Sequence, residues 1–145
     1  MFTDQPHRFT ARLSQLAAVN VYIDEYCLLR ALPRETALKL TFVVEELFTN
    51  SVLHGYGGDS DSSIWIGLAG GGSMVELRYE DAAPPYDPLQ RLKDGHSAPV
   101  TSTVSGRPIG GLGVFLVAQL VQNARYVYAD GRNRLTVLLS ADAPA

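Results

Sequence analysis

Residues Leu38 to Gly57, LKLTFVVEELFTNSVLHGYG, constrain this chain more than any other stretch. The segment has helical length, with no Gly or Pro before Gly55, and its apolar residues fall on nearly every side of the projected helix. Such a helix is expected to be largely buried. Glu46 and Asn50 stand inside it at i, i+4, about 40° apart on one face, with Val43 and Leu53 nearby. An unpaired polar group out of water costs roughly 2–7 kcal/mol, so both side chains need a use or a partner. A carboxylate and an amide on one face suit proton acceptance and the binding of a hard cation such as magnesium. Taken alone, the pair is better explained by hydrogen bonds to neighbouring elements.

With 145 residues the chain is expected to form one domain spanning 1–145, large enough to bury a real core. Its 12 Lys and Arg are dispersed and the net charge is −3, which leaves no footprint for direct nucleic-acid binding. The single Cys27 excludes an internal disulfide and a cysteine-based metal cluster and points to a reducing, cytoplasmic location. MFTDQPHRFT lacks the apolar core of a signal peptide. The longest apolar run, Ile109 to Val121, is too short and Gly-rich to span a bilayer, so no membrane role is expected.

Local signals order the rest. Phe9, Ala11 and Leu13 alternate with polar residues as a first strand. A helix follows, with Ser14 as its expected cap and Leu16, Val19, Ile23, Tyr26 and Cys27 as its stripe, and Pro33 separates it from the central helix, Arg34 to His54. Ile64 to Ala69 and Met74 to Glu80 pair most simply as a hairpin around Gly70 to Ser73. Prolines in DAAPPYDP then end strand structure after Asp81. Residues 90–108 show no periodicity and read as a long loop or lid, followed by Gly110-Gly111-Leu112-Gly113 and an apolar helix, Val114 to Gln122. Tyr126 to Ala129, Asp130-Gly131 and Leu135 to Leu139 close the chain as another hairpin. Mainly antiparallel strands with helices gathered on one face make a two-layer α+β sandwich the economical fold.

The glycines at 110, 111 and 113 do not fit a dinucleotide turn, which needs a preceding strand, or a Walker loop, which needs Gly-Lys-Ser/Thr. A Gly-rich turn entering a helix offers free amides to phosphate oxygens, and equally serves as a hinge. Asp81, at a broken strand end, reads either as a turn aspartate or as a carboxylate at a pocket floor.

In this order, Glu-x-x-x-Asn, DAAPPYDP and GGLGVFLVAQLV resemble the three boxes of the GHKL superfamily of ATP-binding domains, shared by gyrase, the heat-shock chaperone, histidine kinases and MutL. EELFTNSVLHGYG and the closing DGRNRLTVLL are similar to its small bacterial branch, the anti-sigma factor serine/threonine kinases. The resemblance implies ATP and Mg2+ as cofactors, with Glu46 as general base and Asn50 as magnesium ligand. It implies that Asp81 reads the adenine amino group, Gly110, Gly111, Leu112 and Gly113 form the phosphate turn, and Thr136 supports the base pocket from the last strand. His54 follows the first box as in relatives, with a capping or packing role as its alternative, and Arg107 stands where it would neutralise phosphate charge, or lie solvated. Ala83 departs from the pattern, which commonly has glycine there, and its methyl is expected to crowd the nucleotide. An anti-anti-sigma protein as phosphoacceptor and a sigma factor are the implied partners, and a homodimer is compatible with the resemblance. The alternative is a regulatory docking module that transfers no phosphate.

Overall fold

The computed structural model describes residues 5–88 and 123–141. The expected loop at 90–108, the glycine turn at 110–113 and the helix at 114–122 lie outside the described residues. Five strands form one sheet in the order β1-β2-β3-β5-β4, and every described pairing is antiparallel. They are β1 (His7–Thr10), β2 (Ser63–Gly71), β3 (Met74–Asp81), β4 (Asn123–Ala129) and β5 (Arg132–Ser140). Helices α1 (Leu16–Leu29) and α2 (Arg34–Asn50) pack on one sheet face, giving the α+β two-layer arrangement.

Alternation in the strands sets this layering. Ile64, Ile66 and Leu68 of β2, Val75, Leu77 and Tyr79 of β3 and Leu135, Val137 and Leu139 of β5 all point inward, because successive strand residues face opposite sides. They meet Val19, Ile23, Tyr26 and Cys27 of α1 and Leu40, Val43, Val44, Leu47 and Phe48 of α2 in one core. Each fully buried aliphatic or aromatic side chain contributes roughly 1.5–3 kcal/mol. Both hairpins turn where their glycines lie. At Asp130-Gly131 both residues have positive φ, +55° and +75°, as the twist-matched two-residue hairpin turn requires.

Four local expectations change. The first strand ends at Thr10, so Leu13 leaves its alternation for a 3-10 turn, where it is exposed. The helix from Arg34 is buried along one face only: Leu38 is 55% exposed and Leu53 also reaches solvent, because the sheet and α1 cover α2 from one side. Its last turn, Ser51–Gly55, is a wider π turn closed by Tyr56 N–H to Ser51 O at 2.8 Å. Ser14 caps nothing. It lies in a 3-10 turn, Leu13–Gln15, whose first amide donates instead to Asp59 Oδ1 at 2.8 Å, forty-six residues away.

Helix α1 stops before Pro33 through a Schellman motif: Leu32 N–H reaches Cys27 O at 2.9 Å and Ala31 N–H reaches Leu28 O at 3.1 Å. Ala31 therefore adopts φ +52°, a conformation that costs an L-residue roughly 1–2 kcal/mol and glycine nothing. Ala31→Gly is expected to stabilise the fold by up to about 1 kcal/mol, read as a raised urea midpoint with an unchanged slope. A lowered midpoint would count against the strain.

Candidate functional site

Asp81 ends β3 in the same inward parity as Val75, Leu77 and Tyr79, so the strand carries its carboxylate under α2. Only 8% exposed, it is held by three donors. Oδ1 accepts from Asn133 Nδ2 at 2.8 Å and from Ala83 N–H at 3.2 Å. Oδ2 accepts from Ser51 Oγ at 2.6 Å, which commits the Ser51 proton, so the Tyr79 hydroxyl, 2.7 Å from Ser51 Oγ, donates to it. Burial pushes the Tyr79 phenol well above its ordinary value, so it remains a donor. A carboxylate has about four acceptor positions, two on each oxygen. One position on Asp81 Oδ2 is therefore left by the described residues.

A cavity of about 380 Å³ opens beside this carboxylate. Asp81, Ser51 and Tyr79 give its lining polar groups, Asn50 and His54 line it from α2 and its π turn, and the consecutive Pro84, Pro85 and Tyr86 line it as a wall. Leu47, Leu135 and Tyr126 add apolar surface. This size, with few convergent polar groups in an apolar lining, is that of a small-molecule site.

Of the residues expected from sequence, Asn50, His54, Asp81 and Ala83 come together here. Glu46 lies one turn before Asn50 on α2, half-buried, and is not among the cavity's lining residues. Desolvation first, and the adjacent Glu45 second, push its carboxyl above the ordinary value. Arg107, Gly110, Gly111, Leu112 and Gly113 lie outside the described residues. Thr136 needs correction as a pocket residue. It pairs with Arg78 and alternates with buried Leu135 and Val137, so it belongs to the sheet face away from the helices. Asn133, opposite Asp81 in the register, occupies the place expected of it.

Ala83, whose methyl was expected to crowd the nucleotide, lines the cavity and packs against Gly55. Its side chain is 3% exposed, and a Cβ added to Gly55 would lie 2.9 Å from the Ala83 Cβ. The absent methyl at Gly55 thus makes room for the one at Ala83. Carbon atoms prefer about 3.5–4.0 Å, so Gly55→Ala is expected to destabilise the fold by about 1–3 kcal/mol through overpacking. Adding Ala83→Gly should recover most of that loss in a double-mutant cycle of urea unfolding. Additive losses would show that the two positions are not in contact.

Sequence reasoning missed Ser51, Tyr56, Tyr79, Tyr126 and Asn133 as site residues. Tyr56 anchors the turn after β3: its hydroxyl donates to Ser63 O at 2.7 Å and accepts from Ala82 N–H at 2.6 Å. The signal for Asn133 was present in the alternation of Leu135, Val137 and Leu139, which puts Asn133 inward and Thr136 outward.

A two-layer α+β domain with a ligand cavity between one helix and the ends of two central strands is the class that fold and site define. The chain belongs to the histidine kinase-like ATPase domain family, which it matches over residues 9–139. It is similar to the serine-protein kinase RsbW of Listeria monocytogenes, 29% identical over 92 residues, covering 63% of this chain and 59% of that protein. RsbW of Listeria innocua matches to the same extent. The match thus spans 59% of the length of these relatives. The histidine kinase AdeS of Acinetobacter baumannii shares the fold, with a TM-score of 0.50 at 12% identity, covering 94% of this chain and 68% of that one. Among the described residues, no helix is long and apolar enough to cross a membrane.

Proposed function

We propose that this chain binds ATP in the cavity beside Asp81 and transfers its terminal phosphoryl group to a seryl or threonyl hydroxyl of a partner protein. The observation that carries this reading is the buried Asp81 carboxylate with one acceptor position left beside an apolar cavity that Asn50 also lines. An exocyclic amino group, as on adenine, is the donor such a position accepts, and the proline and tyrosine wall offers flat apolar surface to a base.

Asn50 is the side chain that would hold Mg2+, which when bound neutralises charge on phosphate oxygens. The donor set fits. Magnesium takes oxygen ligands, keeps several waters and phosphate oxygens and needs few protein ligands, so the one amide oxygen of Asn50 on the cavity lining is enough. Glu46 accepts the hydroxyl proton as the hydroxyl oxygen bonds to the γ-phosphorus; the bond from that phosphorus to the β–γ bridging oxygen breaks and ADP leaves. Gly111 and Gly113 keep the phosphate-cradling role that the sequence resemblance implies.

Similarity to proteins named serine-protein kinase supports the acceptor class. By the family resemblance of EELFTNSVLHGYG and DGRNRLTVLL, the partners are an anti-anti-sigma protein presenting the hydroxyl and a sigma factor held in its absence, both met in the cytoplasm. Incubation with ATP, Mg2+ and a serine-bearing candidate partner tests the reading. Phosphate on the partner is the expected outcome. Release of free phosphate alone would make the chain an ATPase, and bound but unconsumed ATP would favour a docking module.

A further inference from the structure

Asn133 has more hydrogen bonds to the described residues than any other side chain around the cavity. Its amide nitrogen donates to Asp81 Oδ1 at 2.8 Å, to Ala83 O at 3.1 Å and to Pro84 O at 3.0 Å, two protons shared among three acceptors. Its amide oxygen accepts from Tyr86 N–H at 2.9 Å and from the Tyr126 hydroxyl. The partners admit one amide orientation only. Reversed, the oxygen would face a carboxylate and two carbonyls, and the nitrogen would face the Tyr86 N–H.

We infer that Asn133 is a specificity-determining positioning residue: by filling Asp81 Oδ1 and stapling the Ala83–Tyr86 segment to β5, it leaves Oδ2 as the one reader of an amino donor on the ligand. The inference rests on the nucleotide reading of the cavity. With Ala83 N–H and Asn133 both on Oδ1 and Ser51 on Oδ2, the carboxylate has no rotamer freedom to turn a second acceptor toward the ligand. The same amide ties the Pro84–Tyr86 wall to the strand that faces that carboxylate, so the wall and the carboxylate are held in one arrangement.

The test compares ATP with purine riboside triphosphate, which lacks the 6-amino group, by calorimetry on the wild type, Asn133→Ala and Tyr126→Phe. The wild type is expected to prefer ATP by about tenfold or more, the value of one hydrogen bond to a charged group. In Asn133→Ala that preference should collapse to within about threefold, with ATP weakened far more than the analogue. Tyr126→Phe, which keeps the amide but removes one of its anchors, should fall between. Equal weakening of both nucleotides, or an unchanged preference, would overturn the inference. Amide hydrogen exchange in the nucleotide-free protein separates this from failure of the nucleotide reading. If the wild type binds neither nucleotide, that reading fails, while faster exchange at Tyr86 in Asn133→Ala, with β3 still protected, supports the staple. Unchanged protection at Tyr86 overturns it.

Discussion

Asp81→Asn is expected to weaken ATP binding by roughly 100-fold or more while leaving the protein folded. The carboxylate receives donors from three sides, Asn133 and Ala83 on Oδ1 and Ser51 on Oδ2. An amide in its place keeps one acceptor oxygen, which stays with Asn133 and Ala83, and turns its NH2 toward Ser51 and the cavity. Ser51 can reverse its hydroxyl to accept, but the position proposed for the ligand's amino group now presents a proton. Losing a charge-assisted hydrogen bond costs roughly 1.5–3 kcal/mol, and an opposed, unpaired donor adds roughly 1–3 kcal/mol. Calorimetric titration with Mg2+ and ATP reads the loss, with thermal unfolding as the control for folding. An affinity within threefold of wild type would remove Asp81 from nucleotide recognition.

Glu46→Gln should separate binding from chemistry. The replacement is isosteric and uncharged, and Glu46 is not among the residues lining the cavity, so ATP affinity should change little. Phosphoryl transfer should fall about 10²–10⁴-fold, the usual contribution of a positioned base. The pH profile carries a second signature. Desolvation, with the charge of Glu45 adding to it, holds the Glu46 carboxyl above its ordinary value, so it stays protonated to higher pH than an exposed glutamate. A base must be deprotonated, so the wild-type rate should decline as pH falls through that raised value. In Glu46→Gln this limb should be absent. A transfer rate unchanged by the substitution would exclude Glu46 as the base.

The two positions depend on different kinds of information. The alternation of Val75, Leu77 and Tyr79 is written in the sequence, but Asp81 was left open as a turn aspartate or a pocket carboxylate, and only the extension of β3 through Asp81 in the same parity decides for burial. Glu46 and Asn50 were legible as an i, i+4 pair because helical spacing is local. Thr136 was assigned to the pocket by resemblance, against the alternation of its own strand, and the register puts it on the other sheet face. The cap expected from Ser14 was a local signal overtaken by a distant one, Asp59, whose loop comes near only when the sheet is assembled.

Elements whose determinants are near neighbours in sequence were settled by the sequence itself: the antiparallel hairpins with their glycine turns, the order of the described helices and strands, and the inward stripe of the three central strands. Turn chemistry and side-chain periodicity act over a few residues, so no partner is needed to read them. Tertiary structure alone decided which face of α2 is buried, how Gly55 gives up space to Ala83, and how Asn133 reaches Asp81 across fifty-two residues. Those outcomes depend on distances between elements far apart in the chain, where close packing and the need to pair every buried polar group leave few arrangements open.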